Sequence, residues 1–209
     1  MVAAAADFGF NVRPPFDLSG VATSVFPTDF GRLISGDGGP KSVYENSAAL
    51  AQASIGQNDV TATPLAMALM VAAVANDGVL PSPHVLAEIR DAQGKVIRRA
   101  DSAPWRRAVE APVAAQLRRT LEGVVANGTA RGLALAGWTV GAKTGTAQLG
   151  DDRSTNAWVV GYAGPPGVAA TVAFAVLVEA DPTAGQQTGG GVAVPIAAAI
   201  LPIALAVQK

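Results

Sequence analysis

Three apolar runs, residues 139–147, 157–163 and 171–179, follow one another with only polar, Gly- and Pro-containing connections between them. A parallel pair of strands needs a crossover of a dozen or more residues, usually a helix. These connections are too short for that, so the runs are expected to pair as an antiparallel meander. The third is almost continuously apolar, which predicts a central strand covered on both faces.

Helices supply the cover. Thr63-Pro64 reads as an N-cap followed by proline at the first helical position, and residues 65–75 are apolar on every side until Asn76-Asp77-Gly78 stops them. A helix apolar all round is buried. Pro112 opens a second helix in which Val113, Leu117, Leu121, Val124 and Val125 share a face opposite Arg118, Arg119 and Glu122, ending at Asn127-Gly128. Residues 192–207 are apolar but include Pro195 and Pro202 and fall short of the roughly 20 residues of a membrane span. They read as a buried C-terminal helix behind a flexible Gly189-Gly190-Gly191 joint, and no membrane segment is expected. Residues 84–90 and 95–99 flank Asp91-Ala92-Gln93-Gly94 as a hairpin, and residues 1–45, rich in Phe, Pro and Gly, read as loop-dominated. The fold class is therefore α+β, an antiparallel sheet flanked by helices.

Composition excludes several functions. A net charge of −1 argues against nucleic acid as a partner, and the doublets Arg98-Arg99, Arg106-Arg107 and Arg118-Arg119 are scattered among acids as solvated faces. There is no cysteine and a single histidine, His84, beside Pro83 and read as structural. Asp151-Asp152 and Glu179 with Asp181 read as solvated loop carboxylates, so neither a metal nor a cofactor is expected. The first residues lack the basic and apolar regions of a signal peptide, and nothing in them reads as exporting or anchoring the chain.

Lys143-Thr144-Gly145-Thr146 lies in the first strand-like run. An edge strand of this composition can bind a peptide end by strand addition, its ammonium and hydroxyls holding a terminal carboxylate. Gly145 would let a substrate backbone lie close, and Thr146 would offer its backbone N–H to a developing oxyanion. Taken alone, the four residues fit equally an exposed edge-strand lysine that discourages aggregation. The preceding Gly137-Trp138-Thr139-Val140-Gly141-Ala142 nearly spells a P-loop with Lys143-Thr144, but Ala142 stands where a Gly is needed and no helix has room to follow.

Four segments together resemble the C-terminal part of a penicillin-binding protein transpeptidase domain. They are Ala53-Ser54-Ile55-Gly56-Gln57 with Thr63-Pro64-Leu65-Ala66-Met67-Ala68, then Gly141-Ala142-Lys143-Thr144-Gly145-Thr146-Ala147-Gln148, then Ala157-Trp158-Val159-Val160-Gly161-Tyr162-Ala163, and Gly190-Gly191-Val192-Ala193-Val194-Pro195. They occur in the family's order and span about residues 45 to 205. The pattern looks most like actinobacterial class B members of the penicillin-binding protein A kind. Asn58, where the family often has Gly, and Ala66, where it often has Gln, are departures outside the chemistry.

The resemblance implies a peptidoglycan D,D-transpeptidase acting by an acyl-serine mechanism. Lys143 and Thr146 would be catalytic, and Lys143, Thr144, Gly145 and Thr146 would bind substrate. The partners implied are a stem peptide ending in D-alanyl-D-alanine and β-lactams, at the extracytoplasmic face of the plasma membrane. One departure bears on the chemistry: no Ser-x-x-Lys occurs. Ser154-Thr155-Asn156 has the family's Ser-x-Asn pattern but follows the Lys-Thr-Gly-Thr strand instead of preceding it, and reads as a turn. Residues 1–209 are thus expected to form a partial transpeptidase domain lacking its N-terminal half, inactive alone and poorly soluble through exposure of Phe174, Leu177 and Trp158. The alternative is a non-catalytic module that binds D-alanyl-D-alanine or β-lactams.

Overall fold

The structure, a computed structural model, describes residues 1–100, 103–150, 155–181, 183 and 185–207. In chain order the elements are α1 (Val2–Asp7), β1 (Leu33–Ser35), β2 (Val43–Tyr44), α2 (Ser47–Ala53), α3 (Pro64–Ala75), β3 (Val79–Pro81), β4 (Glu88–Arg90), β5 (Val96–Arg99), β6 (Pro104–Arg107), α4 (Ala111–Asn127), a 3-10 turn (Arg131–Leu133), β7 (Thr139–Gln148), β8 (Thr155–Gly164), β9 (Val172–Val178), a π-helical turn (Gly189–Ala193) and α5 (Val194–Val207).

The meander forms as expected, in the order β7-β8-β9 and antiparallel throughout, with Lys143 opposite Val160 and Val160 opposite Ala175. The central strand, however, is β8 and not β9. Thr155, Ala157 and the whole of residues 159–164 are buried, whereas β9 is half-buried at the edge of the described sheet. An unbroken apolar run reports cover on both faces and cannot report a lateral neighbour. Helices α3 and α5 both pack against β9, which suffices to explain its composition.

One face of the sheet carries Val140, Ala142, Val159 and Ala163 into a core shared with Val194, Ala197, Leu201 and Leu205 of α5. Alternation puts Tyr162 on the opposite face, where α4 meets it. Its hydroxyl donates to Glu122 Oε1 at 3.0 Å. Arg118, in turn, donates to the Val74 carbonyl at 2.9 Å and pairs with Asp77 at 2.9 Å, tying α4 to the end of α3. Arg118 and Glu122 are therefore not the solvated face that helical periodicity assigns them, and Val113, assigned inward, is exposed. The reason is that β8 presents a phenol and α3 a free C-terminal carbonyl to α4, so its packed surface is partly polar.

Burial, and then the Glu122 carboxylate, push the Tyr162 phenol well above the ordinary tyrosine value. A raised value means that the neutral phenol contributes its full stability below the unfolded pKa of about 10 and loses it as pH rises beyond. Tyr162→Phe is expected to cost about 1 kcal/mol near neutrality, as one buried hydrogen bond does. It should also flatten the fall in melting temperature above pH about 10. Thermal melts of both proteins across that range check both effects; a parallel fall in the two would show that another group governs alkaline stability.

Helix α3 begins as read, Thr63 Oγ1 accepting from the Ala66 N–H at 3.1 Å, and Ala66, Leu69, Val71, Ala73 and Val74 are buried. The hairpin β4-β5 also forms, shorter than the flanking runs suggest. Residues 1–45 hold more than loops. Besides α1 and the β1-β2 ribbon, Phe10, Phe26 and Phe30 make two edge-to-face contacts and pack with Ala53, Val60, Met67 and Met70. That cluster anchors α2, the loop after it and the start of α3.

The helical run Gly189–Val207 has 19 residues, longer than the apolar segment alone suggests, and is long and apolar enough to cross a membrane by length and composition. Its inner face is in the core. Its outer face, Ile196, Ile200, Ile203 and Val207, is exposed, while Phe174, Leu177 and Trp158 are only half-exposed. Part of the exposed apolar surface thus lies on α5, and the sheet residues expected to carry it are more covered.

Candidate active site

β7 is buried at Val140, Gly141 and Ala142 and emerges at Lys143, so the Lys-Thr-Gly-Thr segment is the stretch where the edge strand leaves the core. Residues of an antiparallel strand point N–H and C=O alternately toward and away from the neighbour. Gln57 marks which residues point away: its Nε2 donates to Thr146 O at 3.3 Å, and its Oε1 accepts from Gln148 N at 3.4 Å. Thr144, two residues earlier, shares that outward edge, and its carbonyl accepts from Lys143 Nζ at 2.6 Å. The outward edge therefore carries the main-chain groups of Thr144, Thr146 and Gln148, with Gln57 on Thr146 O and Gln148 N and the Lys143 ammonium on Thr144 O.

The Thr144 hydroxyl is held as well, 2.6 Å from Thr129 Oγ1. Thr129 follows the capped end of α4 directly, where Gly128 N donates to Val124 O at 2.9 Å. Gly145 is hemmed in from its own sheet. A Cβ there would lie 3.3 Å from Trp158 Cβ.

Against this stretch sits Gly189, where an added Cβ would come within 2.2 Å of Trp158 O and 2.7 Å of Gly145 O. The three glycines are accordingly not a flexible joint. They open a π-helical turn capped by Thr188, whose Oγ1 accepts from Gly191 N at 3.1 Å, and Gly189 is there because nothing larger fits between the turn and the strand.

Ser154 lies outside the described residues, as do Asp151 and Asp152. Thr155 and Asn156 do not form a turn; they are the first residues of β8. The Thr155 hydroxyl accepts from Gln187 N at 3.0 Å and also bonds the Gln187 carbonyl, and Asn156 Oδ1 accepts from Ala180 N at 2.8 Å. They fasten the segment after β9 to the sheet. The strand geometry of residues 139–148 also removes the P-loop reading, which needs a loop and then a helix. His84 is exposed and contacts its neighbour's carbonyl, Ser82 O, at 3.3 Å. Asp181 accepts from Thr183 in a local turn.

Two residues beside the strand escape a reading by motif. Gln57 belongs to the Ser-Ile-Gly-Gln loop, whose pattern says nothing of its reach to β7. Its neighbour Asn58 adopts φ 61°, a left-handed conformation that Asn tolerates better than most residues, which accounts for its place where Gly is frequent. Thr129 has no motif beyond following a helix stop.

The helix-flanked antiparallel sheet is the fold of penicillin-binding protein transpeptidase domains. Residues 1–202 match that family, and the chain belongs to it. It is 39% identical over 163 residues to the peptidoglycan D,D-transpeptidase PbpA of Mycobacterium tuberculosis, a match covering 77% of this chain and 33% of PbpA. It is 32% identical over 200 residues to the stage V sporulation protein D of Bacillus subtilis, covering 93% of this chain and 28% of that protein. Among solved structures, penicillin-binding protein A of M. tuberculosis as its ceftriaxone acyl-enzyme superposes with a TM-score of 0.79 at 34% identity, covering 97% of this chain and 42% of that one. The chain spans between a fifth and a third of the length of the curated relatives it matches, 33% of PbpA and 20% of penicillin-binding protein 2a of Streptococcus pneumoniae.

Proposed function

We propose that residues 1–209 form one wall of the active site of a peptidoglycan D,D-transpeptidase, as a partial domain whose nucleophile stands on a segment outside these residues. The observation that carries this reading is the outward edge of β7, where a cation, a hydroxyl and strand-pairing groups converge within four residues.

A stem peptide ending in D-alanyl-D-alanine, or a β-lactam that mimics it, would add alongside this edge as a short strand. Its terminal carboxylate would meet Lys143, whose ammonium has three donors and gives one to the Thr144 carbonyl. Thr144 would donate its hydroxyl to the same carboxylate. The scissile carbonyl would then lie near the Thr146 N–H, one of the two donors an oxyanion needs, worth about 3 to 4 kcal/mol to the transition state. Gly145 leaves the strand slim between them. The other donor and the attacking serine would come from the Ser-x-x-Lys segment, and no such sequence occurs here. The activity in the parent would be cell-wall crosslinking at the extracytoplasmic face of the plasma membrane.

Removing a nucleophile costs several orders of magnitude in rate. The purified chain incubated with a fluorescent penicillin is therefore expected to carry no covalent label after denaturation, beside a full-length family member that does. A stable label lost on substitution of a single serine would overturn the missing-nucleophile reading.

A further inference from the structure

We infer that Thr129 is a positioning residue for carboxylate recognition, acting through the hydroxyl of Thr144; the inference rests on the reading of the β7 edge given above. The two Oγ1 atoms are 2.6 Å apart, a short hydroxyl–hydroxyl hydrogen bond in which either could donate. The chemistry of the site decides between them. A hydroxyl has one proton to give and two lone pairs. If Thr144 is to donate to a carboxylate, its proton must be free, so Thr144 accepts and Thr129 donates. Thr129 then fixes a lone pair of Thr144 on the inner side and leaves its proton to point outward. Without that partner the Thr144 hydroxyl could spend its proton elsewhere, and part of the affinity for a carboxylate would be lost.

Thr129 is well placed for such a role. It leaves α4 immediately after the C-cap at Gly128, and the next residue, Ala130, is fully buried. Its carbonyl lies against the π-helical turn, where an added Cβ on Gly190 would come 3.2 Å from it. The backbone is thus gripped from two sides while the side chain is free to serve Thr144. The loop from α4 and the edge strand are in this way coupled through one hydroxyl pair, which no motif in either segment announces.

The test titrates the chain with N-acetyl-D-alanyl-D-alanine and with its C-terminal amide, reading the amide shifts of Gly145 and Thr146. Thr129→Val, a change of hydroxyl for methyl at an exposed position, is expected to weaken the carboxylate form about fivefold and leave the amide form unchanged. Thr129→Ser should restore the wild-type value. In a Thr144→Val background the effect of Thr129→Val should vanish, since the pair is a unit.

Unchanged or tighter binding by Thr129→Val overturns the inference, because Thr144 then donates inward or the contact is idle. So does failure of Thr129→Ser to restore binding, which would assign the role to the methyl group. If instead the wild-type chain shows no carboxylate preference and Lys143→Ala matches it, the reading of the edge itself fails and takes this inference with it.

Discussion

Lys143→Ala is expected to remove the response of the chain to a D-alanyl-D-alanine carboxylate and to leave its melting temperature where it was. The two halves of this result follow from one observation. Lys143 is exposed and, among the described residues, its ammonium bonds to the carbonyl of the next residue in its own strand, so its loss is expected to touch little packing. For a ligand the loss is large. A hydrogen bond to a charged group contributes about 1.5 to 3 kcal/mol, which is a fall in affinity of roughly 10- to 150-fold. Titration with N-acetyl-D-alanyl-D-alanine, followed by amide shifts on β7, measures it. A wild-type chain that prefers the carboxylate to the C-terminal amide, and a variant that does not, would support strand recognition. The competing reading of an edge-strand lysine makes the opposite forecast, an unaltered titration together with self-association of the variant as its edge loses its charge.

The edge position of the Lys-Thr-Gly-Thr strand was legible in the sequence. Lys143 to Thr146 could be placed on an edge strand because the apolar run before them, Val140 and Ala142 included, ends where the polar residues start. The all-round apolar α3 was equally open to reading, since a helix without a polar face has only one place to go. The misplaced features share a cause. β9 reads as central and β8 as its neighbour because cover by α3 and α5 writes the same apolar pattern as lateral pairing does. Arg118 and Glu122 read as solvated because helical periodicity sorts residues by polarity, while the surface facing α4 includes the Tyr162 hydroxyl and the Val74 carbonyl. Thr155 and Asn156 read as a turn because both residue types favour turns. Their side chains instead bond across to Gln187 and Ala180, contacts set by a segment some 24 to 32 residues later.

Long-range side-chain contacts also account for what motif reading left out of the site. Gln57 lies 89 residues before Thr146, and Thr129 lies 15 before Thr144. Neither separation carries a periodic signal. Yet each fixes a different part of one strand: Gln57 braces its main chain beyond Thr146, and Thr129 holds the hydroxyl of Thr144. A recognition strand has to be held to within about half an ångström to be useful. β8 does this along one side only, so the other side depends on such braces. The aromatic cluster of Phe10, Phe26 and Phe30 belongs to the same support, because it packs on Ala53 at the base of the loop that carries Gln57.

Gly189→Ala is expected to be the most damaging single-methyl change near the site. Its backbone is not in the left-handed region, so alanine meets no conformational objection there. The objection is space. The new carbon would lie 2.2 Å from Trp158 O, 2.7 Å from Gly145 O and 3.0 Å from Gly145 N, all main-chain atoms of β8 and β7. No rotamer relieves a clash with backbone, so either the π-helical turn lifts away from the sheet or the two strands shift. Overpacking of this kind costs about 3 kcal/mol, a drop in melting temperature of roughly 6 to 12 °C for a chain of this length. Because Gly145 is one of the atoms displaced, the ligand response read at Gly145 and Thr146 should fall with it. Gly191→Ala is the contrast, since among the described residues its Cβ would meet Thr188 Oγ1, a rotatable side chain, at 3.0 Å and no strand backbone. If the three glycines served as a flexible joint, both substitutions would behave alike and would stabilise slightly by restricting the unfolded chain. A steep loss at Gly189 beside a mild one at Gly191 would instead mean that the glycine run is there to let the start of the last helix press directly on the recognition strand.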